Sequence, residues 1–190
     1  MHGHAFTNTD ERLLVELAQA DPNAFAELYR RYLPRVHAFA YRRTGAQEVA
    51  EDITSAAFER ALRNLHLFTW QAGGFAPWLF RIVANELADH YRRAGRAGSE
   101  RVLGAAAGMM AVAPADPADV VMDRADARHL LATMDGLSPR YQQALSLRYL
   151  SGLSPEDAAR ALGTNRTTFA VVLHRATSAL RKALREGSES

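Results

Sequence analysis

The amino-acid sequence predicts an all-α fold of two small helical domains joined by a flexible linker, the C-terminal domain containing a helix-turn-helix. Three observations predict it. Apolar residues recur at helical spacing through most of the chain, while alternating strand patterns are scarce. Pro and Gly fall mostly at the edges of these periodic segments. Between residues 94 and 121 the period lapses into "AGRAGSERVLGAAAGMMAVAPADPADVV", rich in Ala, Gly and Pro, which reads as a linker. The resulting boundaries are 1–95, 96–122 for the linker, and 123–190.

In the first domain, Asp10 is placed to cap a short helix carrying Leu13, Leu14 and Leu17 on one face. Pro22 suits the first position of a second helix, along which Phe25, Leu28, Tyr29, Tyr32, Val36 and Phe39 follow at helical spacing. Pro34 is expected to kink or split this helix, and Gly45 to end it. A third helix spans about 46–64, with Val49, Ile53, Ala57, Phe58 and Ala61 inward. The loop "LHLFTWQAGG" (65–74) leads to a fourth helix, about 76–93, striped by Trp78, Leu79, Ile82, Val83 and Leu87. In the second domain, helices are expected at about 124–135, from Ser138-Pro139, from Ser154-Pro155, and from about 165 to 185. Glu156 and Asp157 lie in the first turn of the third of these, where carboxylates favour the helix dipole.

Composition excludes several classes. The chain has no cysteine, hence neither a disulfide framework nor a zinc knuckle, which fits a reducing compartment. No apolar run approaches the roughly 18 residues of a membrane span. The start, "MHGHAFTNTDER", lacks the apolar core of a signal peptide, so a cytoplasmic location without membrane contact is expected. The seven His residues show no metal-ligand spacing, and His2 and His4 fall in the N-terminal tail. No Gly-rich phosphate loop or Ser/His/Asp pattern appears, so no cofactor, metal or enzymatic activity is expected. Residues 1–93 balance 11 basic against 11 acidic side chains, 94–123 carry 2 and 4, and 124–190 carry 10 and 6. The positive excess thus sits in the C-terminal third, where a nucleic-acid contact would require it.

That third also carries the most specific motif. A helix-turn-helix needs a small residue where its helices cross, Gly in the turn, and an apolar residue that pins the second helix. Ala159, Gly163 and Phe169 meet these needs at the expected spacing, with Leu173 one turn further. An ordinary helical hairpin with a Gly cap is the plainer alternative.

Four segments, "AFAELYRRYLPRVHAFAYRRTG", "AEDITSAAFERAL", "FAPWLFRIVANELADHYRR" and "LSPRYQQALSLRYLSGLSPEDAARALG", resemble in order and spacing the extracytoplasmic-function sigma factors, bacterial transcription initiation subunits. The resemblance covers nearly the whole chain outside the linker. It implies that 1–95 is a region-two domain and 123–190 a region-four domain, and that the chain has no enzymatic activity of its own. It further implies as partners core RNA polymerase, through the β′ clamp helices and the β flap, and promoter DNA. An anti-sigma factor holds many relatives inactive, and nothing in the sequence encodes its identity.

By that resemblance the "AED" helix docks on the β′ clamp helices, with Glu51 and Asp52 facing basic residues. Ser55 stands where relatives often have Gln. Without the resemblance, Glu51 and Asp52 read as a solvated face. The fourth helix and its preceding loop resemble the segment that opens and reads the −10 element. Melting costs a few kcal/mol per unstacked step, offset by aromatic stacking of an extruded base worth about 1–3 kcal/mol. Asn85 matches the family's Asn and can bond a base edge; Arg92, Arg93 and Arg96 can hold phosphates; His66, Phe68 and Trp70 lie where a flipped base would sit. Phe68 and Trp70 read equally as residues that close the core, and Trp78 reads as core.

Region four would read the −35 element. Here Thr167-Thr168-Phe169-Ala170-Val171-Val172-Leu173 departs from the usual Gly-Thr-Val-Lys-Ser-Arg-Leu, and the Lys and Arg are gone. Asn165, Arg166, Thr167 and Thr168 remain at the helix start, where recognition helices meet base edges. Ala170 and Val171 can pack on thymine methyls, and His174 and Arg175 can reach phosphate. Alternatively, Ala170, Val171 and Val172 pack against the rest of region four or a protein partner. Two rival functions fit the pattern: a stand-alone helix-turn-helix regulator whose N-terminal half senses a ligand or dimerises, and a protein-interaction module that no longer binds DNA.

Overall fold

The computed structural model describes residues 8–96 and 124–188, with side chains described for 11–94 and 126–187. The linker expected at 96–122 falls outside the described residues apart from the backbone of Arg96, as do His2 and His4. Among the described residues the chain forms α1 (Asn8–Ala20), α2 (Phe25–Thr44), α3 (Gln47–Asn64), α4 (Ala76–Arg96), α5 (Arg124–Asp135), α6 (Pro139–Tyr149), α7 (Pro155–Ala161) and α8 (Arg166–Ser188), with short 3-10 turns at Pro22–Ala24 and Leu65–Leu67 and no strand.

The structure differs from the sequence expectation in α1, in α2 and in α4, which runs to Arg96 rather than to about 93. The first helix starts at Asn8, so Asp10 lies within it rather than ahead of it. The side chain that caps is Asp21, which accepts the Asn23 N–H and opens the 3-10 turn at Pro22. The second helix runs unbroken through Pro34. Tyr32, Val36 and Phe39, on both sides of the proline, are buried in one core. That packing outweighs the single hydrogen bond the proline cannot donate.

The first four helices enclose an aromatic-rich core built on Leu28, Val36, Phe39, Phe58, Phe75, Leu79, Phe80 and Val83. The loop after α3 folds over its end: Phe68 is buried, 5.6 Å from Phe75 and 5.2 Å from Trp78 between ring centroids. Gln19 of α1 fastens the loop by donating to the carbonyls of Leu65 and Phe68 at 2.9 and 2.8 Å. Glu11 accepts the Tyr32 hydroxyl and, at 3.4 Å, the Phe75 N–H. Burial and this carboxylate push the Tyr32 phenol far above its usual range.

In the second half, α6 and α7 pack beneath α8, and α5 lies against the C-terminal part of α8 around Met134, Leu145 and Ala176. The two halves also touch. α4 packs on both α7 and α6, and one apolar cluster runs from Phe39 and Phe80 through to Leu147, Ala158 and Phe169. Ala84 and Ala88 of α4 line one small cleft with Gln142, Gln143 and Ser146 of α6.

Candidate nucleic-acid interface

The α7–α8 unit is built by its turn. Ser154 caps α7 by accepting the Asp157 N–H at 3.1 Å. At the other end Thr164 N–H reaches the Ala159 carbonyl and Gly163 N–H the Arg160 carbonyl, both at 2.9 Å. These are the two bonds of a Schellman turn, which requires a left-handed residue, and Gly163 supplies φ of 74°. Asn165 then caps α8, its side-chain oxygen accepting the Thr168 N–H at 2.8 Å. Phe169 (2% exposed) and Ala176 pin the helix inward. The three helix-turn-helix requirements read from the sequence are thus met in space.

The opposite face of α8 is open. Arg166, Thr167, Thr168, Ala170, Val171, His174 and Arg175 are all exposed, Val171 by 47%. Val172 and Leu173 are half-buried and pack on the core. The apolar stretch therefore divides: Ala170 and Val171 face outward, continuous with the first turn, while Val172 turns inward. Asn165 has its oxygen committed to the cap and keeps its amide donors.

On α4, Asn85 is exposed, and its Oδ1 accepts from Gln143 Nε2 of α6 at 3.1 Å. Arg92 is paired with Asp89, and Arg93 donates to the Asp89 carbonyl at 3.3 Å. Asn85, Asp89, Arg92 and Arg93 share one stripe at helical spacing. The Arg96 side chain is outside the described residues. In the preceding loop His66 is exposed and Trp70 half-buried, its ring 6.1 Å edge-on from Phe68. Phe68 itself closes the core, leaving His66 and part of Trp70 presented to solvent. On α3, Glu51, Asp52 and Ser55 are exposed on one face, and Glu51 accepts from Gln47 at 2.5 Å.

Sequence reasoning missed a polar cluster between the halves. Arg43, at the end of α2, is 2% exposed. Its guanidinium donates to Tyr91 Oη at 2.8 Å, Asp135 Oδ1 at 2.6 Å and Gln142 Oε1 at 3.1 Å, and lies 4.1 Å from the Tyr91 ring centroid. Tyr91 returns a hydrogen bond to the Arg43 carbonyl at 3.0 Å. Burial pushes the Tyr91 phenol up to about 12. Burial also raises Asp135 above its ordinary value, against the pull of Arg43. His90, beside them, is held below its ordinary value by burial and then by Arg93. A signal existed: Arg43 continues the buried stripe Leu28, Tyr32, Val36 and Phe39 at helical spacing, a place where a charge must find partners. Those partners lie 48, 92 and 99 positions away, beyond the reach of local periodicity.

The sequence matches the family profile Sigma-70 region 2 over residues 28–97 and the profile Sigma-70, region 4 over residues 127–180. It is 36% identical over 175 residues to the ECF RNA polymerase sigma factor BldN of Streptomyces coelicolor, covering 90% of this chain and 64% of that protein. The chain thus spans less than two thirds of that relative's length. It is 30% identical over 165 residues to the RNA polymerase sigma factor CarQ of Myxococcus xanthus, covering 86% of this chain and 91% of CarQ. Its fold is similar to the sigma factor RpoE of Bartonella quintana, solved in complex with the anti-sigma factor NepR. The TM-score is 0.54 at 25% identity, over 85% of this chain and 96% of that one. Among the described residues no group of His, Asp and Glu side chains could hold a metal ion, and no helix is long and apolar enough to cross a membrane.

Proposed function

Because the chain belongs to the extracytoplasmic-function RNA polymerase sigma factors, we propose that it binds core RNA polymerase in the cytoplasm and directs it to promoters, reading the −10 element with its first half and the −35 element with its second. The observation that carries this reading is the open face of α8: Arg166 to Thr168, Ala170, Val171, His174 and Arg175 are exposed on a helix whose opposite face is pinned by Phe169 and Ala176. Its first turn offers the bonding side chains, Ala170 and Val171 offer methyl contacts, and Arg175 meets the backbone. Glu51, Asp52 and Ser55 present a surface to the clamp helices of the β′ subunit, with the β flap holding region four. Asn85 bonds a base edge of the −10 element, Arg92, Arg93 and Arg96 hold phosphates, and His66 and Trp70 flank the extruded base. The chemistry of RNA synthesis belongs to the polymerase. The RpoE relative was captured with an anti-sigma factor, and a protein of that class is the regulator we assign here.

Run-off transcription with core polymerase and a library randomised at −10 and −35 tests the reading. We expect enrichment at both elements, and Asn85→Ala to relax the preference at one −10 position while sparing core binding. No transcript from any library member would overturn the assignment.

A further inference from the structure

We propose that α1 is a brace for base capture, in which Glu11 and Gln19 are positioning residues that hold the two ends of the loop before α4 and so preset the surface formed by His66 and Trp70. The inference rests on the proposed reading of those two side chains as flanking the extruded −10 base. Glu11 and Gln19 stand eight residues apart on α1, a rise of about 12 Å and about 80° around the axis, so both lie on one side of the helix. Each takes hold of a different end of the same loop. Gln19 Nε2 carries two N–H groups, and it donates to the Leu65 carbonyl at 2.9 Å and to the Phe68 carbonyl at 2.8 Å. The Leu65 carbonyl also accepts the Phe68 N–H at 3.0 Å, so the grip falls on a closed turn. Glu11 holds the far end. One of its carboxylate oxygens accepts the Tyr32 hydroxyl, and the other accepts the Phe75 N–H at 3.4 Å. Phe75 is fully buried just before α4, where a helix supplies no partner for an N–H.

The side chains between the two anchors depend on them. Phe68 is buried with its ring 5.6 Å from that of Phe75, and Trp70 stands edge-on to Phe68 at 6.1 Å. Moving either end of the loop therefore moves Trp70 through Phe68. His66 and Thr69 are exposed, and Gly73 and Gly74 have φ of 100° and 73°, so the rest of the loop has little of its own to fix its shape. The entropy lost in ordering even a few loop residues rivals the gain from stacking one base. A loop that ordered only on meeting the strand would cancel that gain, whereas one already held keeps it. α1 is itself fixed, because Val15 and Ala18 are buried in the core of the first half. In this scheme neither Glu11 nor Gln19 touches DNA, and their effect reaches the base only through the loop.

The test uses holoenzyme reconstituted from core polymerase and the full chain. Its probes are single strands carrying the −10 sequence that the run-off library selects, either intact or abasic at each position in turn. Wild type should prefer the intact strand over the strand abasic at the extruded position by at least about tenfold. Gln19→Met keeps the length of the side chain and removes both donors. It should bring that ratio close to one while changing affinity for the abasic strand by less than about twofold. Glu11→Gln turns an amide toward the Phe75 N–H and should lower the ratio about threefold, the contact it breaks being the longer one. Gln19→Lys, which restores a donor, should recover most of the ratio. Hydrogen exchange of residues 66–74 in the free full chain should quicken in Gln19→Met and Glu11→Gln and return toward wild type in Gln19→Lys. Unchanged exchange, equal losses on intact and abasic strands, or quickened exchange with the wild-type ratio would each overturn the brace and leave the sigma reading intact. A wild type that binds intact and abasic strands alike would instead remove base capture from His66 and Trp70, and the brace with it.

Discussion

Arg81 of α4 closes the end of α7: its guanidinium donates to the carbonyl of Ala161 at 3.2 Å and of Arg160 at 3.1 Å. These carbonyls belong to the last turn of a helix, which lacks intrahelical donors and carries the negative end of the dipole. Arg81→Ala should cost about 1 kcal/mol, as the arginine is exposed and water replaces part of the bond. Gly163→Ala should cost more, about 1–3 kcal/mol, because it forces a left-handed φ and presses a Cβ on Arg81. Chemical denaturation measures both. The double variant should lose less than the sum, since both act at one contact.

Phe169 and Val171, two residues apart on α8, should separate stability from binding. Phe169→Ala empties a buried site and should cost about 3–5 kcal/mol, melting the second half. Val171→Lys adds a charge at an exposed position and should change stability by less than about 0.5 kcal/mol. It should tighten −35 duplex binding at low salt and steepen the log affinity against log salt slope by about 0.9. Salt titration of fluorescence anisotropy reads both quantities. A destabilised Val171→Lys would mean that the outward face is covered by something else in the protein.

Reversing Glu51 and Asp52 to Lys should weaken core polymerase binding about tenfold or more, by setting like charges against the clamp helices. Both side chains are exposed, so circular dichroism and the melting curve should not change. Surface plasmon resonance against core enzyme measures the effect, and unchanged affinity would remove the docking assignment from α3.

His90 predicts a pH dependence. Its folded-state value lies below the ordinary 6.5, because burial disfavours the imidazolium and Arg93 repels it, with Arg43 adding to the repulsion and Asp135 and Asp52 opposing it. Between that lowered value and 6.5 the unfolded chain binds more protons, so stability falls as pH drops through this window and levels off beneath it. Asp135 has the opposite sign: its raised value means that its unfavourable contribution sets in as pH climbs above 3.8. Denaturation midpoints of wild type and His90→Gln, compared from pH 7 to pH 5, should diverge, with wild type losing more. Parallel curves would refute the assignment.

The elements were legible because each writes its own period. Ala159, Gly163 and Phe169 announced the α7–α8 unit, and the stripe from Phe25 to Phe39 announced α2, since these depend on neighbours within a few residues. The persistence of α2 through Pro34 was not legible, because it depends on packing around Tyr32 and Val36 rather than on propensity. Whether Val171 or Val172 faced outward was left open by composition and decided by the angle of α8, with Phe169 and Ala176 fixing the inward side. The seam was invisible for a different reason. Arg43 with Asp135, and Gln143 with Asn85, join positions whose local patterns are each complete without the other.

A bacterial chromosome presents on the order of 10⁶ wrong registers for each right one, and nearly all the attraction of a wrong register comes from phosphate charge. On the proposed reading, the outward Ala170 and Val171 give α8 little to hold on to there. A smaller share of the protein is soaked up by bulk chromosome, and each false encounter ends sooner. Methyl contacts register only where thymines lie beneath them, so the neutral middle of the helix trades grip everywhere for selectivity at few places.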